Sequence, residues 1–336
     1  MRVYEVDGAG GLDSLAIRER DVPAPARSQV LIRLSAAALN YRDLLMVKGG
    51  LASKRTTPFV PLSDGAGEVV AVGEGVSRVR AGDRVAGIFF QTWLDGEITP
   101  RKFSSALGGA RDGMLAEYVA LEEDGVVKIP DHLSDEEAAT LPCAAVTAWN
   151  ALVAQGRLKA GDSVLVQGTG GVSVFAIQFA RMFGARVIVT SSSDEKLERT
   201  RALGASDLIN YKRDADWDAR VVELTGGEGV DHVVEVGGAG TLNRSLKAVR
   251  MGGTISLIGV LTGVSAEVET SSILRKSVRV QGIYVGSRAM FEKMNRAIAF
   301  ARMRPVIDRV FPFEEAAAAL GYMESAAHFG KICIRF

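Results

Sequence analysis

The residues with the clearest chemistry form one short run, Gly168-Thr169-Gly170-Gly171-Val172-Ser173. It lies between the apolar segment Ser163-Val164-Leu165-Val166-Gln167 and the mostly apolar run 174–182. A buried strand, a glycine turn and a helix in that order leave helix N–H groups facing outward, where an anion such as a pyrophosphate is held. Gly168 and Gly170, with Gly171 and Val172 opening the helix, are therefore candidates for a dinucleotide cradle. Ser173 stands where the G-x-G-x-x-G pattern has its third glycine, and a small shift between helix and strand accommodates its side chain. A tight turn without a ligand is the alternative.

An NAD site places a carboxylate on the ribose about twenty residues further on. Here the second strand ends Val189-Thr190-Ser191-Ser192-Ser193 with no acid at its tip, and Lys196 follows in the next helix. Hydroxyls and an ammonium suit a ribose 2′-phosphate, which a carboxylate would repel. NADPH is thus expected in preference to NADH. Asp194 reads as the N-cap of the helix, and a solvated helix lysine is the competing reading of Lys196.

Metal chemistry finds few donors. The chain has two cysteines, Cys143 and Cys333, and three histidines, His132, His232 and His328, with no ligand spacing among them. No zinc site is expected, and each histidine reads as an ordinary structural or surface residue. No nucleophile elbow or Ser–His–Asp set is present.

The elements that must position these residues change character along the chain. Up to about residue 128, short valine strands alternate with glycine turns, as in 30–34, 65–73 and 82–85, which suggests a small barrel or folded sheet. Residues 115–119 read as one more strand. Residues 91–113 show no period and read as a substrate lid or a solvated excursion. A capping box at Ser134 and Glu137 starts a helix that Pro142 ends or kinks, and a second helical segment covers about 146–155. From 163 onward strands and helices alternate, with strands at 185–190, 208–210, 230–236 and 253–259 and helices at 194–203 and 242–250. That alternation predicts a doubly wound parallel sheet, with 278–285 as an edge strand. Helices at 289–302 and 313–325 precede a closing strand, 331–335, expected to return to the N-terminal β unit.

Length and composition agree with two domains: 336 residues, 47% hydrophobic and 24% charged. Forty basic and forty acidic side chains cancel, so neither nucleic acid nor an anionic membrane is an expected partner. Scarce cysteine, a charged N-terminus and no run long enough to span a bilayer point to the cytoplasm.

The whole chain resembles the medium-chain dehydrogenase/reductase superfamily, and within it the zinc-free quinone-oxidoreductase (zeta-crystallin-like) branch. The resemblance rests on Gly65-Ala66-Gly67-Glu68-Val69-Val70 with Gly82-Asp83-Arg84-Val85, on Ala116-Glu117-Tyr118-Val119, on Leu141-Pro142 before Thr147-Ala148-Trp149, and on Gly168-Thr169-Gly170-Gly171-Val172. It implies an α/β fold, a Rossmann dinucleotide-binding domain over 129–286 beside a GroES-like, mostly β domain built from 1–128 and 287–336. Zinc-binding members place Cys, His and Cys where this sequence has Asn40, Ser63 and Cys143. NAD-using relatives place their ribose acid at Ser191, and NADPH-using relatives place phosphate-binding groups at Ser192, Lys196 and Tyr211. Thr147, Gly259, Val260, Ile283 and Val285 match positions that line the nicotinamide, and Phe329-Gly330-Lys331 resembles a segment that closes over it. The resemblance also implies a homodimer, formed through 278–285.

The expected activity is a zinc-independent, NADPH-dependent reduction of a quinone or an α,β-unsaturated carbonyl in the cleft between the domains, with a small molecule as the partner. Without a metal, hydrogen-bond donors must stabilise the developing oxyanion. Asn40 is the candidate donor, Tyr41 a candidate proton donor and Asp43 the residue that orients the segment. A helix N-terminus capped by Asn40 is the structural alternative. Metal-free alcohol oxidation is a second enzymatic reading, and an NADPH-binding regulatory or nucleic-acid-binding protein with little catalysis is a third.

Overall fold

The computed structural model describes residues 1–7, 10–49 and 58–336. It divides into two compact units, Met1–Val146 with Val285–Phe336, and Thr147–Tyr284. The first division falls later than the 128/129 expected from the sequence. Three side-chain contacts keep the intervening segment with the first unit. Arg84 Nη2 donates to Asp135 Oδ1 at 2.6 Å, Arg335 Nε to Glu136 Oε1 at 2.7 Å, and Cys143 N to Asp64 Oδ2 at 3.0 Å.

The first unit is organised on the ten-residue strand Gln29–Ala38. Its Val30, Ile32 and Leu34 point to one face, as the two-residue period requires, and pack with Val69, Val85, Met114 and Val126. Its other end joins a second core with Leu39, Leu44, Leu115, Phe313, Ile332 and Ile334. Among the described residues the sheet runs Ile307–Pro312, Lys331–Arg335, Gln29–Ala38, Asp64–Val72, Arg84–Gly87, Val126–Lys128, with Tyr118–Glu122 also paired to Gln29–Ala38. The closing strand does return to the N-terminal β unit, antiparallel, with Cys333 opposite Ala38. Gly67 permits the central pairing: a Cβ there would lie 2.0 Å from the Arg33 carbonyl oxygen.

Several boundaries differ from the sequence reading. The strand expected at 115–119 is Tyr118–Glu122, and Ala116 instead forms an isolated bridge with Val3. Residues 91–113 are no simple surface excursion, because Gln91, Trp93, Ser105, Ala106 and Leu107 are buried. Gln91 Nε2 donates to the carbonyls of Ile88 and Gly125, which fixes the start of the segment, and a short helix, Pro100–Phe103, crosses its exposed part. The capping box of Ser134 and Glu137 is present and opens helix Asp135–Ala139. Wide π-type turns follow at Leu141–Ala145, where Pro142 supplies no N–H to continue a regular helix, and at Asn150–Gln155.

The second unit is a parallel sheet with the order Asp207–Asn210, Arg186–Ser191, Ser163–Gln167, Val230–Glu235, Val249–Leu257, Arg279–Gly282. In chain order this is the 3-2-1-4-5-6 arrangement of a doubly wound dinucleotide fold, whose ligands bind beyond the carboxyl ends of the strands. Leu165, Ile188, Val233 and Ile255 are 0% exposed, as continuous apolar strands covered on both faces should be. The helix expected to reach Arg250 stops at Ala248, because Arg250 belongs to the next strand and donates to Asp231 Oδ1 at 2.6 Å. Among the described residues no helix is long and apolar enough to cross a membrane.

Ser173 resolves the irregular glycine pattern. Its hydroxyl is buried and donates to the Gln167 carbonyl at 2.7 Å, so it ties helix Gly171–Met182 to the end of the strand before the turn. Ser173→Ala removes that bond and should lower stability by about 1 kcal/mol. Urea denaturation measures the difference, and an unchanged midpoint would contradict the role.

Candidate functional site

Two groups of residues carry chemistry, one in each unit. In Thr147–Tyr284 the turn after Ser163–Gln167 opens with Gly168 at φ +70°, a left-handed conformation that glycine adopts without strain. Gly170 stands at the N-cap position of a twelve-residue helix and offers no side-chain cap. The first N–H groups of the helix therefore lack intrahelical partners. A Cβ built on Gly170 meets no atom within 4 Å. Free donors with open space in front of them fit the pyrophosphate of a dinucleotide.

At the tip of the second strand, Ser191 is buried and its hydroxyl accepts from Ser193 N at 3.3 Å. The N-cap of the next helix is Ser193, which accepts from Lys196 N at 3.3 Å. Asp194 was expected to be that cap, but it is the first helical residue. Its Oδ1 instead accepts from Asn210 Nδ2 at 2.8 Å and Arg213 Nη2 at 2.6 Å. Of the two carboxylates in the first turn of this helix, Asp194 and Glu195, the first is thus paired with a guanidinium. Tyr211 N donates to the Ser191 carbonyl at 3.1 Å, which brings the half-exposed Tyr211 beside the strand tip. Ser192 and Lys196 are partly exposed.

Among the positions matched to nicotinamide contacts, Thr147 and Ile283 are buried in the second unit, and Val260 is half exposed. Gly259 is pressed against the preceding strand, where a Cβ would lie 2.1 Å from the Val236 carbonyl oxygen. Val285 and Phe329 are buried in the first unit, Val285 at φ +55°.

Sequence reasoning missed Glu235, which is 0% exposed at the end of its strand. Its Oε1 accepts from Gly237 N at 2.8 Å, Gly238 N at 2.9 Å and Thr241 Oγ1 at 2.6 Å. Its Oε2 accepts from Gln167 Nε2 at 2.7 Å and from Ser245 Oγ. A carboxylate with this many donors fixes the Gly237–Gly238 backbone. The only signal in the sequence is an acid closing an apolar strand just before two glycines.

The second group lies in the first unit and gathers Asn40, Ser63 and Cys143 with two residues the sequence reading placed otherwise or passed over. Lys331, matched above to a segment over the cofactor, is 3% exposed, and its Nζ donates to the Leu39 carbonyl at 2.5 Å and Asn40 Oδ1 at 2.6 Å. Asn40 Nδ2 donates to Ser63 Oγ at 3.3 Å, and Ser63 Oγ donates to Asp64 Oδ1 at 2.7 Å. Asp64 was not singled out in the sequence. Asn40 stands at the N-cap position of helix Tyr41–Val47, and Asp43 Oδ2 reaches back to Asn40 N at 2.9 Å. Arg42 Nη1 holds the other oxygen of Asp43 at 3.0 Å. Tyr41 is 45% exposed.

Electrostatics in this cluster follow from burial. Loss of water pushes the Asp64 carboxyl up to about 6; the Lys331 ammonium opposes that rise and the Asp43 charge adds to it. Burial pushes the Cys143 thiol far up, and the neighbouring Asp64 carboxylate pushes it further. A zinc ligand set needs thiolate, imidazole or carboxylate donors. A neutral amide, a hydroxyl, a thiol that resists ionisation and an ammonium on the amide oxygen do not fit one. No group of three His, Cys, Asp or Glu among the described residues could hold a metal ion.

Known proteins resemble the whole chain. Residues 171–300 match the zinc-binding dehydrogenase family, and residues 26–131 match the alcohol dehydrogenase GroES-like domain. The zinc-type alcohol dehydrogenase-like protein C1773.06c of Schizosaccharomyces pombe is 45% identical, over 100% of this chain and 99% of that one. A 2-methylene-furan-3-one reductase of Solanum lycopersicum is 34% identical, over 99% of this chain and 79% of its own. The crystal structure of an NAD-dependent alcohol dehydrogenase superposes with a TM-score of 0.92 at 35% identity, over 100% of both chains. With the strand order and the glycine cradle, these likenesses establish that the chain is an oxidoreductase and belongs to the medium-chain dehydrogenase/reductase superfamily.

Proposed function

We propose that the protein is a zinc-independent, NADPH-dependent reductase of quinones or α,β-unsaturated carbonyls. The carrying observation is the Asn40–Ser63–Asp64–Lys331 cluster; the resemblance matches its Asn40 and Ser63 to zinc-ligand positions, and the side chains there do not suit a zinc ion. A Lewis acid contributes several kcal/mol to alcohol oxidation by polarising the substrate oxygen. An amide donor is enough for the softer demand of an enolate or quinolate oxygen forming as an electron-poor carbon is reduced.

A bound nicotinamide supplies the hydride. The chain's own residues bind, orient and stabilise. Gly168, Gly170, Gly171 and Val172 would hold the pyrophosphate at the helix start, and Ser192, Lys196 and Tyr211 the 2′-phosphate. Pairing of Asp194 with Arg213 offsets one of the two carboxylates in the first turn of this helix and supports NADPH over NADH. Asn40 Nδ2 donates to Ser63 and the same amide interacts with Asp64; in the proposed reaction this amide would donate to the substrate oxygen. Tyr41, half exposed beside Asn40 in sequence, would return a proton from solvent. The likeness to alcohol dehydrogenases favours a second reading, oxidation of an alcohol with NAD(P)⁺.

A panel of quinones, enones and alcohols with both cofactors tests the assignment. NADPH oxidation should accelerate with a quinone or enone; turnover confined to alcohols would establish the second reading instead. Asn40→Ala should reduce kcat by about 100-fold while leaving the NADPH dissociation constant near wild type. An unchanged kcat would remove Asn40 from the chemistry. Lys196→Ala should weaken NADPH about tenfold more than NADH, and equal weakening in a fluorescence titration would contradict the 2′-phosphate site.

A further inference from the structure

The polar cluster of the first unit has an ammonium at its centre. Lys331 is 3% exposed, and a charge taken out of water needs oxygen ligands and an opposite charge. It has the Leu39 carbonyl and Asn40 Oδ1 as hydrogen-bond acceptors, and Asp64 as the carboxylate whose charge it favours. Its placement is set by the backbone. Strand Lys331–Arg335 lies antiparallel on Gln29–Ala38, and Lys331 N donates to the Val306 carbonyl at 3.0 Å.

We propose that Lys331 is a tethered cation that takes over the electrostatic work of a metal in this cluster, fixing the Asn40 amide by its oxygen end and, through the Asn40–Ser63 hydrogen bonds, coupling to the Asp64 carboxylate. An amide's oxygen and nitrogen ends are told apart by their partners. An ammonium only donates, so the end of Asn40 facing Lys331 is its oxygen. The nitrogen end then faces Ser63, whose own hydrogen goes to Asp64 Oδ1. Each bond in this row has one direction, and both directions follow from the two charges at its ends. Positive charge on the amide oxygen also polarises the amide and strengthens its N–H groups as donors. A zinc ion would act on the substrate oxygen itself. Lys331 acts through Asn40, which makes it a positioning residue.

The catalytic half of this inference rests on the reductase reading; the structural half does not, and the experiment separates them. Lys331→Met, Asp64→Asn and the double variant are unfolded by denaturant at pH 8. Each single variant leaves one charge buried without its partner and should lose stability, and the double variant should lose clearly less than the sum. Additive losses would overturn the pairing. Should Lys331→Met alone not fold, recovery of soluble double variant supports the pairing, and failure to recover it overturns it. On the folded Lys331→Met protein, kcat for enone or quinone reduction should fall by about tenfold or more while NADPH affinity changes by less than about twofold. A loss confined to NADPH affinity would overturn the role in favour of direct contact with the cofactor. A wild-type protein that reduces no acceptor would defeat the reductase reading, and the unfolding cycle would still decide the pairing.

Discussion

A buried ammonium has to be surrounded by oxygen, and the first unit is arranged so that Lys331 is. The ten-residue strand Gln29–Ala38 carries the chain to Leu39 and Asn40, and the strand nearly 300 residues later returns antiparallel beside it. Asp64 opens the neighbouring strand and supplies the negative charge, while its other oxygen accepts from Cys143 N. Removing any of these leaves a charge or a donor stranded out of water, at a cost of several kcal/mol. The cluster therefore holds the sheet, the first helix and the segment around Cys143 to one another as well as shaping the Asn40 amide.

In the proposed reading the second unit meets a different demand, that of holding an anion with neutral groups. Its glycine turn exposes helix N–H groups, and the Ser173 hydroxyl fastens the helix to the strand so that those donors are fixed in place. Glu235 does the same for the Gly237–Gly238 turn after the strand paired directly beside Ser163–Gln167, with its lone pairs spent on backbone, hydroxyl and amide donors. Binding energy in such a cradle comes from preorganised backbone, which is why its sequence is mostly glycine.

Much of this was legible in the sequence because it is local. The strand–turn–helix around Gly168, the alternation that follows it, and the capping box at Ser134 each depend on residues a few positions apart, and each is present. Local rules also misled where two residues compete for one role. Ser193 and Asp194 both favour a cap, and Asp194 is drawn away by Asn210 and Arg213, which only the folded sheet brings near. The polar cluster was visible only in part. Counting donors at Asn40, Ser63 and Cys143 pointed away from a metal. Nothing at that range indicated that Lys331 would turn inward, since its partners are fixed by the register of a strand from the far end of the chain. The Glu235 network was hidden for a similar reason: Gln167 reaches it from the neighbouring strand and Ser245 from the following helix.

The central claim, reduction supported by an internal cation in place of a metal, is tested most directly by measuring the metal content and the acceptor-reducing activity of one preparation before and after exhaustive chelation. The account predicts well under one zinc per chain and undiminished NADPH-driven reduction after chelation. One zinc per chain, with activity lost on its removal and restored on its return, would contradict it.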